Sequence, residues 1–436
     1  MDFLLGRDLP RQARRSLLFD SANGLGAGLF TALVINFVPV IARREGADPL
    51  LLAAITACPF AANVVGLLSV GFLPTRHRTA YIVVVQALGR GVFLLALLGD
   101  WPQALLAMFF VYYVSYAISL PAVYDALREM YPDRWRARLM GYVRIIQSGI
   151  AALGAPLGGW LMDAAGQRAL LALGGGLGAL GALAFSRIQL SETKGVTPSG
   201  PWAALGEFWS DPLFRGIALA WVLWGLGGFM ALPLFPLVMV DRLGVSYAEV
   251  GFVSLALALG GLLSYWLSGL HVDRHGGHAS LVAGFVLTWP VPLVYQLAPS
   301  AQWLTLAGLL NGLGSGAMEL GWANLLLRLA PGQQRGRYAA VLNSLTGLRG
   351  VAAPFLGVAL ASQTPLGLAG ALYVSTGVGL LGTLLLVAVS RQIPARLATA
   401  APAAWPPRRR KRLPLEYANP LRYTRSVKNP SRTVGN

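Results

Sequence analysis

Charge is scarce in this chain. Only 12% of its 436 residues are Asp, Glu, Lys or Arg, about half the share usual in soluble globular domains. Hydrophobic residues make up 55%, and the mean hydropathy is +0.58. A soluble fold is thereby excluded. Cysteine is nearly absent too. Cys58 stands alone inside an apolar run, which rules out an intrachain disulfide or a cysteine-built metal centre. Neither a Gly-x-x-x-x-Gly-Lys-Ser/Thr phosphate loop nor a His-Glu-x-x-His pair occurs, so ATP hydrolysis and zincin chemistry are not expected. His271, His275 and His278 cluster, yet Asp273 is the single carboxylate beside them, so no metal is expected there. No cofactor and no enzymatic activity are expected.

What is present is apolar length. A spanning helix needs roughly 20 mainly apolar residues. Twelve such segments are predicted at about 17–41, 49–73, 79–98, 103–127, 140–162, 168–187, 213–238, 247–270, 279–298, 302–327, 339–362 and 367–390. The first run, about 25 residues, exceeds the h-region of a signal peptide and should remain as a transmembrane helix. Connections are short except around 189–212, a polar stretch that divides an N-terminal six-helix half (1–188) from a C-terminal one (213–391). Residues 392–436 form a basic tail containing Arg408-Arg409-Arg410-Lys411-Arg412, read as a solvated topogenic segment or a lipid-attracted one.

The halves repeat at an offset near 198 residues. Gly71-x-x-x-Thr75-Arg76-His77-Arg78 recurs as Gly269-x-x-x-Asp273-Arg274-His275-Gly276, and Pro39…Gly46 as Pro236…Gly244. Duplicated bundles of this kind are a common plan for secondary transporters, with substrate held between the repeats. Arg7, Arg11, Arg14, Arg15, Arg76, Arg78, Arg134, Arg136, Arg138, Arg274, Arg335 and Arg337 fall on one side, against Arg43, Arg44, Arg168 and Arg242 on the other. The positive-inside bias predicts cytoplasmic termini in an inner or plasma membrane. It also accounts for the +17 net charge without nucleic acid.

Twelve helices in two halves, with the Gly269, Asp273, Arg274 and Gly276 loop after helix 8, resemble the major facilitator superfamily (MFS). The resemblance covers about residues 15–391. It implies an all-α integral membrane transporter that rocks about a central cavity and works as a monomer in the lipid bilayer. The second-half loop matches the family's gating motif; the first-half copy departs from it at Thr75 and Arg78. Helix 5 carries Gly154-Ala155-Pro156-Leu157-Gly158-Gly159, similar to a loosened form of the motif of proton-coupled exporters. Small residues at that spacing serve helix packing equally.

An ionisable side chain at bilayer depth costs roughly 2.5–3.5 kcal/mol, so each calls for a reason. On helix 10, Asn311, Ser315, Glu319 and Trp322 share one face. Arg349 on helix 11 lies at a similar depth, and a Glu319–Arg349 pair or a shared water-filled cavity is expected. Glu319 then reads either as a protonation site or as half of a permanent ion pair. Asp20 and Asn23 on helix 1 and Arg144 on helix 5 form a gate network or a substrate site. Arg90 on helix 3 shows no evident partner. Tyr113, Tyr116, Trp221, Trp224 and Trp322 are cavity-lining candidates, with packing as the alternative.

Together these readings predict a secondary active transporter for a small molecule, with the proton as coupling ion. Efflux of an amphipathic or drug-like compound leads. Uptake or facilitated movement of a sugar or organic anion, with Arg90, Arg144 and Arg349 as ligands, is the alternative. A non-transporting sensor or scaffold acting through the tail is the reading from another class.

Overall fold

The computed structural model describes residues 9–69, 76–99, 101–188, 190, 211–329 and 335–393. Gly71, Thr75, nearly all of the 189–212 connection and the tail beyond Ile393 lie outside them. The described residues form twelve helical spans and no strand. In chain order they are α1 (Arg11–Arg44), α2 (Pro49–Ser69), α3 (Arg78–Leu97), α4 (Pro102–Met130), α5 (Asp133–Ala165) and α6 (Gln167–Arg187). The second set is α7 (Pro212–Arg242), α8 (Tyr247–His275), α9 (Gly277–Leu297), α10 (Ala301–Leu329), α11 (Arg335–Gln363) and α12 (Gly367–Ser390).

Eleven of the twelve are long and apolar enough to cross a membrane. The exception, α10, has 29 residues, but Asn311, Ser315 and Glu319 interrupt its apolar surface. Helices dominate because the bilayer core offers backbone groups no other partner. Their starts carry local signals. Pro102 and Pro212 open α4 and α7, where an unused N–H costs nothing. The Asp211 carboxylate accepts from the Leu213 N–H at 3.0 Å, and Ser246 with Glu249 forms a full capping box on α8. The equivalent turns after α1 and α7 both end on a glycine with positive φ, Gly46 (+90°) and Gly244 (+58°), where a side chain would strain the backbone.

Within each half the helices close on small residues. A Cβ on Gly26 of α1 would lie 2.7 Å from Gly181 Cα of α6; one on Gly227 of α7 would lie 2.5 Å from the Gly379 nitrogen of α12. Gly181 and Gly379 are again 198 residues apart, so the repeat reaches the packing. Between the halves, α5 crosses α8 and α2 crosses α11. These two crossings frame the central cleft.

Candidate functional site

The end of the bundle away from the arginine-rich loops is sealed by contacts between the halves. Arg43 pairs with Asp241, Nη2 to Oδ2 at 2.8 Å. Arg44 lies over the Tyr247 ring, 3.8 Å from its centroid, and donates to the Val245 carbonyl. Asp163, at the end of α5, accepts from the backbone N–H groups of Tyr247 and Ala248 at 3.0 and 2.9 Å. Those two N–H groups open α8 and have no partner within the helix, so a carboxylate there meets both a donor pair and the positive end of the helix dipole. Below this seal, Gly159 of α5 lies so close to α8 that a Cβ would sit 2.1 Å from the Tyr247 carbonyl oxygen. The Gly-Ala-Pro-Leu-Gly-Gly segment therefore forms part of a crossing: Gly154 and Gly158 rest on α1, and Gly159 on α8.

Each half carries a cavity, the N-terminal one toward the arginine-rich end and the C-terminal one at mid-depth, reaching Phe235 and Pro292 on the sealed side. The N-terminal one, about 170 Å³, is lined by Asp20, Asn23, Gln86, Arg90, Tyr116, Arg144 and neighbouring groups. Asp20, Asn23, Arg90 and Arg144 are thus brought together. Arg90 is buried and not partnerless as the sequence implied. Its Nη1 donates to Asn23 Oδ1 at 2.8 Å and to the Gly178 carbonyl at 3.0 Å, and its Nη2 to Gln86 Oε1 at 3.1 Å. Gln86 stands one helical turn before Arg90, an i, i+4 relation readable in the sequence. Asp20 accepts from the Tyr131 hydroxyl at 2.7 Å. Tyr131 lies in the turn between α4 and α5. Burial, and next the Asp20 carboxylate, hold its phenol far above the ordinary range, so it stays a donor.

The C-terminal cavity, about 180 Å³, is lined by Trp224, Phe229, Thr288, Asn311, Ser315, Ser375 and others. Here the expected Glu319–Arg349 pair is not formed. Glu319 is exposed and accepts from the Tyr265 hydroxyl of α8; Arg144 of the opposite half lies within electrostatic range of that hydroxyl. Arg349 is only 5% exposed and packs against aromatic rings. Its Cζ is 5.2, 5.8 and 5.1 Å from the centroids of Trp221, Trp224 and Phe229. Sequence depth put the two charges level, but the helical phase turned them to different neighbours.

The aromatic candidates divide. Tyr116 lines the N-terminal cavity and Trp224 the C-terminal one. Tyr113 instead packs into the core beside Phe109 and Tyr112. Trp221 donates from its indole to Thr346 at 3.0 Å and stacks between Trp224 and Trp322.

In the loop after α8, Gly276 takes φ +86° and separates α8 from α9. Asp273 and Arg274 are exposed, without a partner among the described residues. Gly269 makes no close approach: a Cβ there would meet nothing within 4 Å among the described residues. In the first half, the positive φ falls on His77 (+53°), and Arg78 is buried in an ion pair with Glu129 at 3.1 Å.

A family model described as "Major Facilitator Superfamily" matches residues 21–232 and again 217–428. The chain belongs to the major facilitator superfamily, and it is a membrane transporter rather than an enzyme. Multidrug resistance protein MdtH of Aeromonas hydrophila subsp. hydrophila is 31% identical over 135 residues, 30% of this chain. The match spans 33% of that relative's length. Among solved structures, the nucleoside transporter NupG aligns with a TM-score of 0.65 at 12% identity, over 89% of this chain and 99% of NupG. A bacterial homologue of the human lysosomal transporter Spinster, inward-facing and unoccupied, gives 0.63 at 15% identity over 91% and 100%. A POT family transporter in complex with 5-aminolevulinic acid gives 0.65 at 14% over 89% and 98%. At such identities the structures establish the fold alone.

Proposed function

We propose that the protein is a proton-coupled exporter of small amphipathic compounds, working by alternating access with the arginine-rich end in the cytoplasm. The observation that carries this reading is a cleft sealed at one end by contacts between the halves, with a cavity in each half beyond the seal. The similarity to MdtH over part of the chain supports a drug-like substrate. Glu319 serves as the coupling carboxylate. It is exposed and accepts from the Tyr265 hydroxyl, which lies within electrostatic range of Arg144 of the opposite half. Asp20, held by Tyr131, is the second carboxylate at depth. Asp273 and Arg274, exposed and without partners among the described residues, form a latch that closes when the arginine-rich end closes.

The test is reconstitution in liposomes with an imposed pH gradient. Internal pH is followed as amphipathic compounds, sugars and organic anions are added, with Glu319→Gln in parallel. Proton movement triggered by amphipathic compounds and lost in Glu319→Gln is the expected result. Substrate flux without proton movement, or coupled flux that survives in Glu319→Gln, would overturn the coupling assignment.

A further inference from the structure

Two arginines reach the middle of the bundle. At 1.5 Å per residue, Arg90 stands about 18 Å along α3 from Arg78, and Arg349 about 21 Å along α11 from Arg335. Both are buried. Arg90 donates to three neutral acceptors. Arg349 does not: its Nε and Nη1 are buried and have no hydrogen-bond partner among the described residues. Three N–H bonds are thus left unpaired on a charged group at bilayer depth, where each lost partner is costly.

The surroundings are shaped for this side chain. A Cβ on Gly225 would fall 2.1 Å from Arg349 Cζ, so the glycine is what lets the guanidinium lie against α7. Trp221, Trp224 and Phe229 surround it. Two of the three rings, Trp224 and Phe229, also border the C-terminal cavity with Asn311, Ser315 and Thr288. The indoles are tethered, Trp221 to Thr346 and Trp224 to Thr288 at 2.9 Å. Phe229 carries no such tether and is held by ring contact with Phe60 at 4.5 Å.

We propose that Arg349 and its aromatic surround form the acid-binding subsite for an aromatic organic anion, the anion's charge pairing with the guanidinium and its ring lying along Trp224. The inference rests on the transport reading above and names its substrate class. Two observations besides the unpaired N–H groups carry it. A cationic substrate drawn to these rings would meet the like charge of Arg349 already lying against them. Among the described residues the buried charges are Asp20, Arg78, Arg90 and Arg349, and Arg78 is paired with Glu129, which leaves a surplus of positive charge that favours an anion.

The experiment is titration calorimetry of the purified full chain with three probes sharing one ring system: naphthoate, naphthylmethanol and naphthylmethylammonium. Naphthoate is expected to bind at least about tenfold more tightly than the ammonium compound. Arg349→Gln should lose about tenfold or more for naphthoate while leaving naphthylmethanol unchanged, and Arg349→Lys should recover part of the loss. Gly225→Ala, which displaces the guanidinium without removing it, should also weaken naphthoate selectively. Equal losses for naphthoate and naphthylmethanol would make Arg349 a packing residue and overturn the proposal, as would ammonium binding as tight as naphthoate. Binding requires no gradient, so naphthoate binding without proton movement upholds this subsite and removes proton coupling. Proton movement driven only by the ammonium compound does the reverse.

Discussion

Arg43 and Asp241 occupy equivalent positions of the two repeats, 198 residues apart in the chain, and close on each other at 2.8 Å. Duplication placed a turn of the same shape at the same end of each half. Divergence then gave one turn a cation and the other an anion, so that the two copies attract. The pair sits with the Asp163 cap on α8 and the Gly159 crossing, three devices of different chemistry at one end of the cleft.

The charge pair should contribute modestly, because its side chains are 26% and 40% exposed. Exposed pairs are worth about 0.2–1 kcal/mol, so Arg43→Asp should raise the open population at this end by no more than about fivefold. The exchange variant Arg43→Asp with Asp241→Arg should restore the original value. Thiol labelling of a cysteine placed at Ala47, buried beside the seal, in a Cys58→Ala background reads the difference.

Gly159→Ala should act more strongly. The added methyl meets the Tyr247 carbonyl, a backbone atom that cannot rotate away, so α5 and α8 must part. Overpacking of this kind costs about 1–3 kcal/mol, and labelling at the Ala47 position should accelerate by about one to two orders of magnitude. An unchanged rate would mean that the crossing yields without opening the seal.

Tyr131→Phe tests the support of Asp20. Because burial keeps the phenol protonated, it remains a donor to Asp20. Its loss leaves a buried acceptor short of a partner, at a cost of about 1–3 kcal/mol. Thermal unfolding in detergent should show a lower Tm. In the double variant with Asp20→Asn the two effects should sum to less than their separate values, since both act on one contact.

Much of the fold was legible in the chain. Apolar length and its interruption by short polar turns set the twelve spans, because a bilayer admits few other backbone solutions. The predicted ends at 49, 247, 367 and 390 coincide with helix ends in the structure. The 198-residue offset announced the two halves; that it also relates the packing glycines Gly181 and Gly379 emerged only from the structure. The site was less legible. Asp20, Asn23 and Arg144 read as a gate network or substrate site and Arg90 as a deep charge, and the structure brings all four to one cavity. Their partners Tyr131 and Gln86 escaped notice, one lying in a turn and the other an unremarkable neutral residue.

What the sequence determined by itself was composition along each helix: which segments cross, how deep each charge lies, and that the chain is doubled. Depth is one coordinate of a side chain. The other, the direction it faces and the helix it meets, depends on how two curved helices rotate against each other. Only tertiary packing decides that. Glu319 and Arg349 show the distinction: nearly level in the membrane, they turn to Tyr265 and to an aromatic surround respectively. The Arg43–Asp241 contact likewise required two halves folded, faced and closed before a shared position in the repeat became a bond.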